Sequence, residues 1–346
     1  MPRPALPVPE PTPPQVLGVA GLLLALLLGV AAVTGDPGSA AASGASGVSP
    51  ADPGGSAGPV AGEPGESPDP SAAPGSAGEG PAGGPATLPG GRRTVFGGER
   101  FLVAYYGSAR TGALGVLGED PPDRMHRRLV RAARPFARPG RPVQPVYELI
   151  VTVADPHPGP GRDFNHDIAR ADVRRYIRAA HRHGALLLLD VQPGRAGFLA
   201  VAKRWEWALR DPYVGLALDP EWRMGRHGVP GQRIGSVTHT EVNRVSAWLS
   251  GLVARHDLPE KLLVLHQFRT SMISGIDRIV RRPGLALVQH VDGFGTPGQK
   301  LDTYRAVAHP ATFRMGFKLF YDEDVRRMGA RAVHAVRPRV RFVSFQ

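Results

Sequence analysis

The chain has 346 residues, 42 Lys and Arg against 30 Asp and Glu, a net charge of +12, and no cysteine. The missing cysteine excludes disulfides, cysteine-ligated metal and a lipid anchor on cysteine. One base and seven acids precede Arg92, so the remainder holds 41 bases and 23 acids, a net +18. Such a domain either favours anionic partners, such as teichoic-type polymers, or spreads its arginines over solvent-facing helices. The arginines do not interleave with aromatics as in RNA- and DNA-binding modules, so nucleic acid is not an expected partner.

Residues 1–15 are read as a short cytoplasmic N-terminus. Residues 16–33, VLGVAGLLLALLLGVAAV, are 18 uncharged residues, close to the ~20 that span a bilayer. Arg3 precedes them and no base follows until Arg92, so the remainder is expected outside the cytoplasm. A transmembrane signal anchor in the cytoplasmic membrane is expected, with the large domain extracytoplasmic. The alternative is a signal peptide cleaved near Ala31 and Ala32, and a secreted product. Residues 34–91 are dominated by Gly, Pro, Ala, Ser and acids. They cannot bury enough apolar surface to offset the entropy of ordering, so a disordered linker is predicted.

Residues 92–346 number 255, near the ~250 of a (β/α)8 TIM-type barrel. Short apolar runs alternate with helical segments through this stretch, the pattern of a parallel sheet with crossover helices. Strands are predicted at 101–106, 146–153, 185–190, 214–218, 262–265, 285–288, 313–320 and 340–345. Helices are predicted at 124–133, 172–183, 197–209, 241–256, 272–280, 300–307 and 324–335. Gly184 is the expected C-cap of the second helix, and Thr240 the expected N-cap of the fourth. Eight strands and seven helices point to an α/β barrel. A doubly wound open sheet is the alternative.

In a barrel, residues at the carboxyl ends of the strands share one rim, where active sites are built. Tyr105 and Tyr106 end the first strand, and Asp155 and His157 follow the second. Asp190 and Gln192 end the third, and His266, Gln267 and Phe268 the fifth. Gln289, His290 and Asp292 end the sixth, while the seventh contains Lys318 and leads to Tyr321 and Asp322. A ring of carboxylates, histidines, glutamines and aromatics suits a carbohydrate site. Single aspartates after strands also serve as helix caps, and that reading stays open for Asp155, Asp292 and Asp322.

The most informative stretch is 214–222, VGLALDPEW. Side chains on a strand alternate faces, so Asp219 and Glu221 are expected on one face at the strand's end. Two like charges there raise the pKa of one, which suits acid–base work. The stretch resembles the strand-four signature of family 18 chitinases, D-G-x-D-x-D-x-E. Gly215, Asp219 and Glu221 match, whereas Val214 and Ala217 stand where the family has aspartates. The resemblance implies Glu221 as general acid and Asp219 as its helper. Family 25 lysozymes, which act on peptidoglycan, also carry a D-x-E at a barrel strand end. They have an acid near the first strand, where this chain has Tyr105 and Tyr106.

The expected function is that of an exported, membrane-tethered glycoside hydrolase acting on a polysaccharide such as a cell-wall glycan. Glu221 and Asp219 would be catalytic. Asp190, Tyr106, Trp222, His266, His290, Asp292 and Tyr321 would bind substrate. No cofactor or metal is expected. One alternative is a glycan-binding barrel without turnover. Another is a metal-dependent phosphoesterase using His157, His266, His290, Asp190 and Asp292, which lack a compact ligand spacing.

Overall fold

The computed structural model describes residues 85–346. The expected membrane segment at 16–33 and most of the linker lie outside these residues. Among the described residues, no helix is long and apolar enough to cross a membrane.

Eight parallel strands close into a barrel. They are β1 (Phe101–Gly107), β2 (Val143–Ala154), β3 (Leu186–Val191), β4 (Val214–Leu218), β5 (Lys261–Gln267), β6 (Leu285–Val291), β7 (Arg314–Leu319) and β8 (Val340–Phe345). Each pairs with the next, and β1 pairs with both β8 and β2, which closes the ring and excludes the open sheet. The short segment Asn165–Asp167 adds an antiparallel edge to β2.

Among the described residues, seven α-helices surround the barrel: α1 (Pro122–Ala133), α2 (Arg170–His183), α3 (Phe198–Arg204), α4 (Glu206–Leu209), α5 (His239–Arg255), α6 (Pro297–Val307) and α7 (Ala330–Ala335). The long ones are amphipathic. In α1, Met125, Leu129 and Ala133 are buried at helical spacing, and Arg124, Arg127 and Arg131 face solvent. Gly184 caps α2 in the left-handed region, at φ 61°, where a side chain would be strained.

Several local expectations are corrected. The predicted helix at 197–209 breaks at Trp205 into α3 and α4. The segment 272–280 forms two single 3-10 turns and a two-residue strand rather than an α-helix. The last predicted helix begins at Ala330, not at 324. Helix α5 starts two residues early, because Thr238 rather than Thr240 accepts the N–H of Glu241.

Two cores result. The larger lies between the strands' outer faces and the helices. The smaller fills the barrel, with Leu88, Val95 and Phe96 joining the inner strand residues. Leu88 is buried there, so the globular unit includes residues before Arg92.

Inside the barrel one pattern recurs. From the amino end upward, the inward positions are Leu186, Leu188 and Asp190 on β3, and Gly215, Ala217 and then Asp219 on β4. They are Leu262, Val264 and His266 on β5, and Ala286, Val288 and His290 on β6. Apolar side chains fill the lower part, and polar ones begin at a shared height near the carboxyl ends.

Candidate active site

Strand β4 ends at Leu218, and Pro220–Trp222 forms a single 3-10 turn. Asp219 caps this turn by accepting the N–H of Glu221 at 3.4 Å. The acid pair is therefore held by a capped turn, not by strand alternation. The Glu221 carbonyl accepts the N–H of Gly235 at 2.6 Å, and the Met224 N–H donates to the Gly194 carbonyl at 2.7 Å. These bonds fix the loop that presents the pair.

Behind it lies a buried ionic network. His266 donates from Nδ1 to Asp292 Oδ2 at 2.8 Å and from Nε2 to Glu148 Oε1 at 3.1 Å. An imidazole that donates from both nitrogens is an imidazolium. Burial opposes that charge, but Asp292 and Glu148 outweigh it and hold the His266 pKa well above its usual value. His290 donates from Nδ1 to the other Asp292 oxygen at 2.9 Å, and its Nε2 meets the Ser344 hydroxyl at 3.2 Å. Burial lowers its pKa, which fits a neutral ring whose Nε2 accepts from Ser344.

Lys318 completes the network. Its ammonium lies 3.4 Å from Asp292 Oδ2 and 3.6 Å from the centre of the Tyr106 ring. Burial works against its charge, and the nearby Asp292, Glu148, Asp219 and Asp190 more than compensate. Burial also works against the charge on Asp292, yet His266 and Lys318 keep this acid well below the ordinary carboxyl range.

Three carboxyls are pushed the other way. Burial, opposed by His266 and reinforced by Asp219 and Glu148, raises Asp190 to about 8. Burial and Asp292, against the pull of His266, raise Asp219 to about 6. Burial, then Asp219 and Asp292, hold Glu221 well above its usual value. Glu221 keeps partial contact with solvent, unlike the buried Asp190 and Asp219. The site thus sets a partly accessible Glu221, held well above its usual range, beside an Asp219 raised to about 6.

The structure brings Asp219, Glu221, Asp190, Tyr106, His266, His290 and Asp292 to the carboxyl end of the interior. Trp222 is 8% exposed beside Glu221, so it offers little open ring face. Tyr321 does not join them. Its ring stacks on Phe345 at 5.5 Å, its hydroxyl meets that of Tyr105 at 3.3 Å, and both tyrosines pack in the helix-side core. Asp292 is a network member rather than a cap, since Thr296 caps α6.

Sequence reasoning missed Glu148 and gave Lys318 no role. Both are charged residues at inward strand positions, and that placement is the signal that would have found them. Of the four lysines, Lys261, Lys300 and Lys318 are buried. A compact ammonium fits among carbonyls and carboxylates where a guanidinium fork does not.

His266, His290 and Asp292 bring one donor atom each within 4.8 Å of one another, a spacing suited to a metal ion. Their donors are already engaged by one another, by Glu148 and by Ser344. A doubly donating His266 offers no lone pair, and Lys318 adds positive charge beside Asp292. Asp190 is not part of this triad, and His157 is exposed on the loop after β2. The residues present do not fit a resident metal.

No protein-family model matches the chain, and no curated protein matches it.

Proposed function

We propose that the barrel is a glycoside-hydrolase-type enzyme acting on an extracellular or cell-wall polysaccharide. The observation that carries this reading is the Asp219–Glu221 pair at the carboxyl end of β4. Burial and its carboxyl neighbours push Glu221 well above the usual glutamate range beside an Asp219 raised to about 6, and a proton kept on one carboxyl after the other has lost its own is the division of labour that glycoside hydrolysis needs.

Glu221 donates its proton to the glycosidic oxygen as the C–O bond breaks. Asp219 stabilises the positive charge that develops at the anomeric carbon. Water adds to that carbon, and the proton it sheds returns to the Glu221 carboxylate. The deeper network of His266, Asp292, Glu148 and Lys318 positions the pair and fixes its charge. It is built of paired charges and carries no catalytic step itself.

A second reading is a glycan-binding barrel without turnover. It is favoured by Ala217, an inward position where the resemblance to family 18 chitinases calls for an aspartate. Asp190 stands opposite Ala217 in the β3–β4 register, so the adjacent strand returns a carboxyl to this height.

The test is release of reducing ends from peptidoglycan and chitin, each intact and partly de-N-acetylated, by the full chain and by Glu221→Gln. Release that is lost in the variant supports the enzyme. Retention on the polymer without release supports the binding protein.

A further inference from the structure

The carboxyl end of the barrel holds five carboxyls: Glu148, Asp190, Asp219, Glu221 and Asp292. Against these stand two cations, His266 and Lys318. Glu148 and Asp292 are matched by them through hydrogen bonds and ion pairs. Asp190, Asp219 and Glu221 are not matched by any cation of their own.

Asp190 is the sharpest case. It is fully buried at an inward position of β3, and neither oxygen has a hydrogen-bond partner. The Tyr106 hydroxyl lies near enough for Asp190 to raise its pKa, yet it makes no hydrogen bond to either Asp190 oxygen and instead accepts from the Gln192 side chain at 3.4 Å. Glu148 Oε2 is likewise buried without a partner. An unpartnered buried carboxyl oxygen is costly in a folded chain. Here three such oxygens sit at the carboxyl end of one barrel, within electrostatic reach of one another.

A metal ion does not answer this arrangement. The one set of donors close enough for a metal among the described residues excludes Asp190 and Glu148, and its own atoms are engaged. The unpartnered oxygens therefore suit a ligand whose donors are spread over an organic frame and whose charge is positive.

We propose that the inner end of this site binds a sugar bearing a free ammonium group, with Asp190 as its anchor and Glu148 Oε2 as a second acceptor. The proposal rests on the glycan reading above. An ammonium supplies three N–H donors and the missing positive charge. An N-acetylated sugar supplies one N–H, no charge and a methyl group among carboxyls. Binding an ammonium also lets Asp190 ionise, so a proton leaves as the ligand enters.

The described residues net +18, so a long polycation is disfavoured by the outer surface. At physiological salt that repulsion fades beyond ~8 Å, and a disaccharide is the suitable probe.

The test is calorimetric titration of the full chain at pH 7 with the glucosamine disaccharide and with its N,N′-diacetylated counterpart. Two buffers of different ionisation heat report the proton. The free-amine sugar is expected to bind ~10–100-fold tighter, with heat that depends on the buffer. Asp190→Asn is expected to abolish the preference, and Asp190→Glu to keep part of it. Equal or tighter binding of the acetylated sugar by the unsubstituted chain overturns the proposal, as does an Asp190→Asn protein that keeps the preference. A preference without hydrolysis of any glycan leaves this proposal standing and removes the enzyme reading. Cleavage of acetylated glycan with no affinity for the free amine does the reverse.

Discussion

His266 reaches across the barrel from β5 and donates to Glu148 on β2 at 3.1 Å, while its other nitrogen donates to Asp292 at 2.8 Å. One imidazolium therefore neutralises two buried carboxylates. Removing it leaves both uncompensated. His266→Leu is expected to cost ~3–5 kcal/mol in urea denaturation, the range for breaking a buried ion pair on one side. Replacing Glu148 and His266 together by Gln and Leu is expected to cost less than the single His266 change, because one orphaned charge goes with its partner.

The pH dependence of turnover follows from the acid pair. The active form has Asp219 ionised and Glu221 protonated. Activity should rise with pH through about 6, where Asp219 loses its proton, and fall where the raised Glu221 loses its own. The two limbs belong to the coupled pair rather than to either acid alone. Steady-state rates from pH 4 to pH 10 check this, and Asp219→Asn should remove the acidic limb.

Asp190 links stability to pH in the opposite sense to an ion-paired aspartate. Its pKa in the fold is about 8, above its unfolded value near ~3.9. The folded chain binds more protons between these values, so stability falls as pH rises through that window. A tenfold difference in proton affinity between the folded and unfolded chain is worth ~1.4 kcal/mol. Even a hundredfold difference therefore moves the Tm of a domain this size by roughly 5–10 °C. Thermal melts of Asp190→Asn should show a smaller loss between pH 5 and pH 8.5 than the unsubstituted chain.

The rim has its own clamp. Lys300 is buried on α6 and pairs with Asp324 at 2.9 Å while donating to the Lys318 carbonyl at 3.0 Å. Asp324 accepts the N–H groups of Gly295 and Phe320 at 3.2 and 3.0 Å. The loops after β6 and β7 are thus tied together beside the site. Lys300→Met is expected to destabilise the protein by ~3 kcal/mol or more. It should also speed amide hydrogen exchange at Gly295 and Phe320 well ahead of the β4 amides.

Much of the fold was legible in the sequence. Residues 214–218 and 340–345 form strands over the bounds that their apolar runs suggest. The region 272–280 misled because Met272, Ile273 and Ile276 are apolar at helix-like spacing, yet they bury through two turns and a short strand. Asp219, Glu221, Asp190, His266, His290 and Asp292 were found because each follows an apolar run. Glu148 was not, because it sits inside one, with Val146 before it and Leu149 to Val151 after it. Tyr321 was placed in the site because it follows β7. A residue beyond a strand end turns wherever its loop sends it, and this loop sends it outward onto Phe345.

To act as general acid, Glu221 must hold its proton at neutral pH, a state that its burial and the nearby Asp219 and Asp292 favour. Carbon-13 NMR of the full chain, with labelled glutamate side-chain carboxyls, reads this directly. The expected result is a carboxyl resonance still protonated at pH 7 that disappears in Glu221→Gln. If the resonance lost in that variant instead titrates in the ordinary range near ~4.3, Glu221 is not the general acid.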